Sequence, residues 1–256
     1  MIKDLKAEIR KISAVGKTAF DLSLFVGDAA REASPGRFVS VGCGQARLLR
    51  RPLSICDASS DGLIRLVFEV RGEGTRWLSE RRAGETLDVL GPLGNGFDLK
   101  ASYGLPALLI AGGIGAPPIL FAAKRFDGES DIVAGFRDRD AVILEEDMRK
   151  AAGTVTICTD DGSYGECGLV TVRAERLLKE KKYGIIYACG PAPMLKAVAK
   201  LSESHRVPCQ VSLEERMGCA VGACLVCACA VRGEDGIEYK HVCKDGPVFN
   251  AGEVVF

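Results

Sequence analysis

Four cysteines near the C-terminus leave this chain few folds to choose from. In MGCAVGACLVCACAVRG and the segment after it, Cys219, Cys224, Cys227 and Cys243 follow the spacing C-x4-C-x2-C-x15-C. This is the plant-type pattern in which four thiolates hold a [2Fe–2S] cluster. Three closely spaced thiols let one loop wrap such a cluster, with Gly218 and Gly222 relieving backbone strain and the small Ala220 and Ala223 leaving room for N–H donors toward sulfur. RGEDGIEY is expected to turn as a hairpin that returns Cys243 to the other three. The competing metal reading is a structural zinc site in a non-catalytic binding or redox-sensing module, although zinc modules usually pair their cysteines in two short knuckles. Cys229 alternates with Cys227 along the chain and is assigned to packing, Cys209 has no assigned role, and His241 is a surplus donor because four thiolates already satisfy the site.

Six of the eleven cysteines lie in the last 48 residues, which marks 209–256 as a small module in a chain of 256 residues. Clustered thiols point to metal or redox chemistry in a reducing compartment, and a cytoplasmic location is expected. The 34 basic residues balance 34 acidic ones, so there is no basic excess to favour nucleic acid as a partner. LPALLIAGGIGAPPILFAA, from Leu105, is broken by glycine and proline, and MIKDLKAEIRK lacks the apolar core of a signal peptide; no membrane segment is expected.

Up to about Phe97, short β-type runs (AEIRKISAV, FDLSLFV, GRFVSVG, PLSICD, LIRLVFEV, ETLDVL) are cut by turn residues. Several alternate apolar with polar residues, which predicts an antiparallel barrel or sandwich, with RWLSERR from Arg76 to Arg82 as a short helix. Beyond Leu105, the continuous apolar runs ALLIAGG, DIVAGFR, TVTICTDDGS and KYGIIYACG alternate with the helix-like PPILFAAKRF, AVILEEDMRKAAG, LVTVRAERLLKEKK and PAPMLKAVAKLSESH. Such alternation predicts a doubly wound parallel α/β sheet buried on both faces. The expected division is 1–98, 99–208 and 209–256.

In a doubly wound sheet, ligands sit beyond the carboxyl ends of the strands, where glycine admits phosphate close to the backbone. Gly112, Gly113, Ile114 and Gly115 follow one strand, and Cys189, Gly190 and Pro191 follow another. Each alone also suits an ordinary tight turn, and the first lacks G-x-G-x-x-G spacing; two in one sheet favour a dinucleotide. DDGSYG, from Asp160 to Gly165, reads equally as a site loop or a solvated turn. Arg137 and Arg139 alternate with Asp138 and Asp140, which leaves NAD against NADP open. In the first unit, Arg51, Pro52, Leu53 and Ser54 start a strand, and GEGT (Gly72 to Thr75) and GPLGNGF (Gly91 to Phe97) follow. A guanidinium suits a pyrophosphate, a strand-end hydroxyl suits a flavin nitrogen, and Gly74 with Thr75 at a helix start supplies N–H donors. Taken singly, Arg-Pro at a strand start and glycines in hairpins are commonplace.

The order RPLS, GEGT, GPLGNGF, GGIG with a following proline, TDDGSYGECGLVT, CGP and SLEERMGCAVGACLVC resembles one family over essentially the whole chain, most specifically from Ser212 to Cys227. It is similar to the electron-transfer subunits of class 1B dihydroorotate dehydrogenases, in the ferredoxin reductase superfamily. The resemblance implies a Greek-key β-barrel binding FAD, a middle domain binding NAD as an exchangeable co-substrate, and a C-terminal [2Fe–2S] module. By position it implies flavin contacts at Arg51, Pro52, Leu53, Ser54, Gly74 and Thr75 and near Val67, Phe68 and Glu69, with Cys219, Cys224, Cys227 and Cys243 on iron. Many relatives have Tyr-Arg where this chain has Phe68-Glu69, an exchange of cation for anion that argues against a phosphate or ring contact by that side chain and still permits backbone contacts.

It also implies a separate FMN-containing catalytic subunit that oxidises dihydroorotate to orotate in pyrimidine biosynthesis, joined as a heterotetramer with two chains of each kind. Electrons would run from that FMN through the cluster and FAD to NAD⁺. Nicotinamide exchanges two electrons as hydride, the cluster exchanges one, and a flavin does both. No general acid or base is implied on this chain. The same layout serves NAD(P)H-dependent ferredoxin oxidoreductases and sulfide dehydrogenases, some of which replace one cluster cysteine by Asp; all four positions here are Cys.

Overall fold

Alternating side chains build the first unit. In the computed structural model, which describes residues 3–44, 49–102, 104–126 and 128–256, six antiparallel strands close into a barrel. They are β1 (Asp4–Ala14), β2 (Ala19–Phe25), β3 (Phe38–Val41), β4 (Arg51–Ala58), β5 (Leu63–Glu69) and β6 (Thr86–Leu93), in the spatial order β1-β2-β5-β4-β3-β6. Because β3, β4 and β5 pair in succession and β6 returns beside β3, the barrel is a Greek key. Ile9, Leu22, Leu24, Val39, Val41, Ile55, Ile64 and Leu66 fill its interior. The short helix α1 (Glu73–Ser79) begins three residues before the expected Arg76. Its start is fixed by Thr75, whose Oγ1 accepts the N–H groups of Arg71 (2.9 Å) and Gly72 (3.2 Å), while Arg81 and Arg82 are drawn into a turn by Glu85.

The second unit is a seven-stranded sheet. Its parallel strands are β7 (Ala107–Gly112), β8 (Gly128–Phe136), β9 (Ala152–Thr159), β10 (Glu166–Cys167), β11 (Ile185–Cys189) and β12 (Cys209–Ser212). After the hairpin β13 (Ala228–Gly233) and β14 (Gly236–His241), β15 (Val248–Asn250) joins antiparallel at the edge, giving β10-β9-β8-β7-β11-β12-β15. The run ALLIAG works on both faces. Leu108 and Ile110 pack with helices α4 (Val170–Glu180) and α5 (Ala192–His205), and Leu109 and Ala111 pack with α2 (Ala116–Ala123) and α3 (Glu145–Ala151). AVILEEDMRKAAG is helical only from Glu145, because Leu144 takes a left-handed φ of 60° and Ile143 turns into the core.

Three features lock the units together. Every residue of α2 is buried, and Phe121 passes out of the sheet layer into the barrel core. Arg65 on β5 bridges Asp21 at 2.8 Å and Asp147 of α3 at 2.6 Å, and Lys124 pairs with Asp57. The cysteine-rich segment leaves the sheet from β12 and re-enters it at β15, so both ends of residues 209–256 lie in or beside the sheet. A segment this small cannot bury a sufficient core alone and shares that of its neighbour. Phe121→Ala is expected to lower stability by about 3–5 kcal/mol, measured by urea denaturation, whereas truncating Phe25 on the barrel rim should stay within about 1 kcal/mol.

Candidate functional site

Between β12 and β13 the chain has no helix or strand, and backbone conformation alone sets its path. Gly222 takes φ +82°, and Ala220 and Leu225 take +61° and +62° despite carrying side chains. These turns aim N–H groups inward, so each of the four expected sulfurs accepts at least one. Val221 and Ala223 donate to Cys219 Sγ at 3.4 and 3.2 Å, and Cys219 donates to Cys224 Sγ at 3.3 Å. Gly222 donates to Cys243 Sγ at 3.1 Å, and Cys243 donates to Cys227 Sγ at 3.4 Å. A Cβ at Gly218 would lie 3.0 Å from Cys224 Sγ, which explains glycine there. The β13–β14 hairpin returns the chain as RGEDGIEY suggests, and the Val242 N–H closes on the Cys227 carbonyl at 3.0 Å.

Desolvation opposes ionisation of Cys219, but the N–H bonds from Val221 and Ala223 and the contact with Cys224 outweigh it and bring the thiol down to about 6. Burial, and then the neighbouring Cys227, push Cys243 up to about 12. Backbone donors that favour thiolate are what the electron-rich sulfurs of a cluster require, so the donor set fits a [2Fe–2S] group. Among the described residues no three His, Cys, Asp or Glu side chains converge on a single ion; the thiols instead form two couples, Cys219 with Cys224 and Cys227 with Cys243. Cys229 and Cys209 are buried in the core, and the His241 ring lies 3.4 Å from Asp245.

The strand order reverses between β7 and β11, so the turns at their carboxyl ends share the switch point of the sheet. They touch. A Cβ on Gly115 would overlap the Cys189 carbonyl, one on Gly190 would lie 3.0 Å from Gly112 Cα, and one on Gly112 would meet Met194 Sδ at 2.6 Å. Gly113, at φ +51°, faces open space beside Ile114, and Pro191 caps α5. Burial raises the Cys189 thiol to about 12, so it stays protonated at neutral pH. The DDGSYG loop reaches this edge: Ser163 Oγ accepts from Arg139 N at 2.8 Å. Asp138 is already engaged by Ala141 N and by Arg137 Nε at 3.0 and 2.9 Å.

On the barrel, Arg51 and Gly74 come together. A Cβ on Gly74 would lie 2.6 Å from Arg51 Nε and 2.8 Å from its Cζ, so only glycine lets the guanidinium rest on the start of α1. Pro52 and Ser54 are half-buried, whereas the side chains of Leu53, Val67 and Phe68 are buried, Phe68 stacking on Phe20 at 5.9 Å. Those three offer a ligand only their backbone. Thr75 spends its hydroxyl on its own turn. Glu69 accepts from Arg71 Nε at 2.8 Å, and Arg71 lies 3.8 Å from Glu214, just past β12. The motif end of the barrel therefore faces the carboxyl edge of the sheet. GPLGNGF does not join this group: Asn95 bonds to residues 244–246, and Phe97 packs on Tyr187. Nothing in the sequence pattern signals that contact beyond a lone Asn between two glycines.

A Greek-key barrel, a switch-point crevice facing it, and a thiol module on the sheet edge define a ferredoxin reductase-like electron-transfer protein. The chain belongs to the dihydroorotate dehydrogenase B (NAD(+)) electron transfer subunits. It is 43% identical to the Geobacillus sp. member over all of both chains and 41% identical to that of Caldanaerobacter subterraneus over 88% of this chain and 89% of the relative. Residues 214–255 match the family described as the iron-sulfur cluster binding domain of dihydroorotate dehydrogenase B. Among solved structures, an NADH-dependent reduced ferredoxin-NADP oxidoreductase superposes with a TM-score of 0.87 at 32% identity, covering 98% of this chain and 90% of that one. An Amycolatopsis cytochrome P450 reductase, at 20% identity and TM-score 0.66 over 80% of this chain and 67% of that one, shares the fold.

Two substitutions test the geometry. Gly115→Ala is expected to raise the NADH KM by about tenfold or more with flavin content unchanged, measured by NADH-dependent flavin reduction. Cys224→Ser is expected to remove most iron from anaerobically purified protein while the flavin-to-protein ratio holds, read by elemental analysis beside the visible spectrum.

Proposed function

We propose that this chain passes electrons from the catalytic subunit of a dihydroorotate dehydrogenase to NAD⁺, and that the partner holds FMN and pairs with it as two chains of each kind. The observation that carries this reading is the set of four sulfurs, each met by a backbone N–H, inside the segment related to the cluster-binding domain of that enzyme. When bound, a [2Fe–2S] group supplies one-electron relay, FAD supplies exchange between single electrons and hydride, and NAD⁺ supplies the acceptor.

The chain's own residues do the rest. Cys219, Cys224, Cys227 and Cys243 hold the cluster, and their N–H partners stabilise negative charge on sulfur. Arg51, with the start of α1 at Gly74 and Thr75, receives the flavin diphosphate; Ser54 and the backbone of Pro52, Leu53, Val67, Phe68 and Glu69 line the flavin. The abutting turns Gly112–Gly113–Ile114–Gly115 and Cys189–Gly190–Pro191 admit the dinucleotide to the switch point. Leu225 and Val226, beside Cys224, are 62% and 57% exposed and give a partner an apolar landing at the cluster loop. Among the described residues no helix is long and apolar enough to cross a membrane. We place the chain in the cytoplasm, where thiol ligands stay reduced.

A second reading follows from the 32% identity to the ferredoxin-NADP oxidoreductase structure: the same relay would serve a ferredoxin-linked complex. Coexpression with a candidate FMN subunit separates the two. Dihydroorotate-dependent NAD⁺ reduction that needs both chains is the expected result; its absence, with ferredoxin-dependent NAD(P) turnover present, would overturn the first reading.

A further inference from the structure

We infer that Asn95, on the barrel, is a positioning residue for the cluster: it sets the segment that carries Cys243 and so tunes the environment of the sulfurs from outside their own module. The inference rests on the reading that the four thiols hold a [2Fe–2S] group.

Asn95 sits at the tip of the loop after β6 and makes three hydrogen bonds to three successive carbonyls. Its Nδ2 donates to Lys244 O at 3.2 Å and to Asp245 O at 3.0 Å, and its backbone N–H donates to Gly246 O at 2.6 Å. A carboxamide is suited to this, since one short side chain presents two N–H donors; Asp and Ala present none. The approach is close because Gly94, at φ +72°, has no Cβ, and one there would lie 2.7 Å from both Gly246 O and Pro247 Cδ. From the other side, Leu213 N donates to Pro247 O at 2.8 Å. Residues 244–247 are therefore clamped between the barrel and the strand that leads into the cysteine loop.

What the clamp holds is adjacent to two of the sulfur contacts. Cys243 immediately precedes Lys244, its N–H donates to Cys227 Sγ, and its own Sγ accepts from Gly222 N. Gly222 in turn lies over Lys244, where a Cβ would meet the Lys244 Cβ at 3.0 Å. A shift of Lys244 therefore reaches both N–H···S bonds. N–H donors stabilise the reduced, more negative cluster, so weakening them makes it harder to reduce. Without Asn95 the midpoint potential moves to more negative values, and iron is held less firmly. The loop that supplies Asn95 follows directly on β6, which pairs with both β1 and β3 of the barrel, and this makes it a mechanical link between the flavin-binding unit and the cluster.

The test uses the full chain with FAD and iron bound, as wild type, Asn95→Ala, Asn95→Asp and Gln210→Ala. Gln210 serves as control because its Oε1 accepts from Asp98 N across the same junction, a hydrogen bond that does not involve 244–246. The readouts are the EPR spectrum of the reduced protein, the cluster midpoint by redox titration, the rate of iron loss to a chelator, and flavin content. Both Asn95 variants are expected to keep FAD, to show altered g-values and a more negative midpoint, and to lose iron about tenfold faster, with Asn95→Asp the more affected because its carboxylate faces two carbonyl oxygens. Gln210→Ala should match wild type. Unchanged spectrum and potential in Asn95→Ala, the same changes in Gln210→Ala, or joint loss of FAD and iron would each overturn the inference. Wild-type protein without iron would instead sink the cluster reading on which it rests.

Discussion

Backbone N–H groups converging on four sulfurs are the constraint that the rest of this molecule serves. They require a loop of alternating hand, and Ala220 and Leu225 adopt left-handed φ values that cost about 1–2 kcal/mol each for residues with side chains. A loop with that built-in cost cannot hold its shape by itself. The surrounding structure must impose it, and a shared core does so. Ala220, Cys227, Cys229, Val231, Val242 and Cys243 pack into the same core as Leu108, Ile110, Val133 and Val211 of the sheet. The thiol loop is thus an insertion between two neighbouring strands of the sheet, β12 and the edge strand β15.

The same logic of close approach governs the crevice. Gly112, Gly115 and Gly190 are not there for unusual dihedral angles; none of the three takes a positive φ. They are there because two turns must touch, and any Cβ would push them apart. Gly74 belongs to the same class, since it yields its side-chain volume to the Arg51 guanidinium. Residues without side chains thereby bring backbone donors and a fixed cation into positions that bulkier residues would occupy. Rigidity comes from elsewhere, chiefly from α2, whose buried helix is shared by barrel and sheet, and from the Arg65 pairs with Asp21 and Asp147.

Features that depend on period and spacing were legible in the sequence. Alternation along FDLSLFV and LIRLVFEV reported a half-buried barrel, the unbroken ALLIAG reported a strand covered on both faces, and the interval from Cys219 to Cys243 singled out four sulfurs that the fold meets with backbone N–H groups. What was illegible depends on contacts between residues far apart in the chain. Asn95 reaches residues 244–246, Arg65 reaches Asp147, and Phe121 crosses from one core to another; no local pattern encodes a partner so distant. Cys209–Ser212 and Val248–Asn250 are too short to announce the sheet they join, so the division drawn at 208 came from composition alone. The helix expected over AVILEEDMRKAAG is good in propensity, but it is interrupted at Leu144, where burial of Ile143 overrides local preference.

The exchange of cation for anion at Phe68-Glu69 illustrates how geometry answers a question that alignment of motifs leaves standing. Glu69 ends β5, and Arg71 follows two residues on, just before α1. Arg71 offers its guanidinium beside the Glu69 carboxylate, and the two pair at 2.8 Å. The charge removed at position 69 is present two residues on, within reach of Glu214 beyond β12. Both side chains are partly solvated, so their pairing contributes about 1 kcal/mol or less; its importance lies in position rather than energy. It keeps the edge between barrel and sheet close to neutral, where an isolated carboxylate would repel the anionic phosphates that we propose Arg51 and the glycine turns receive.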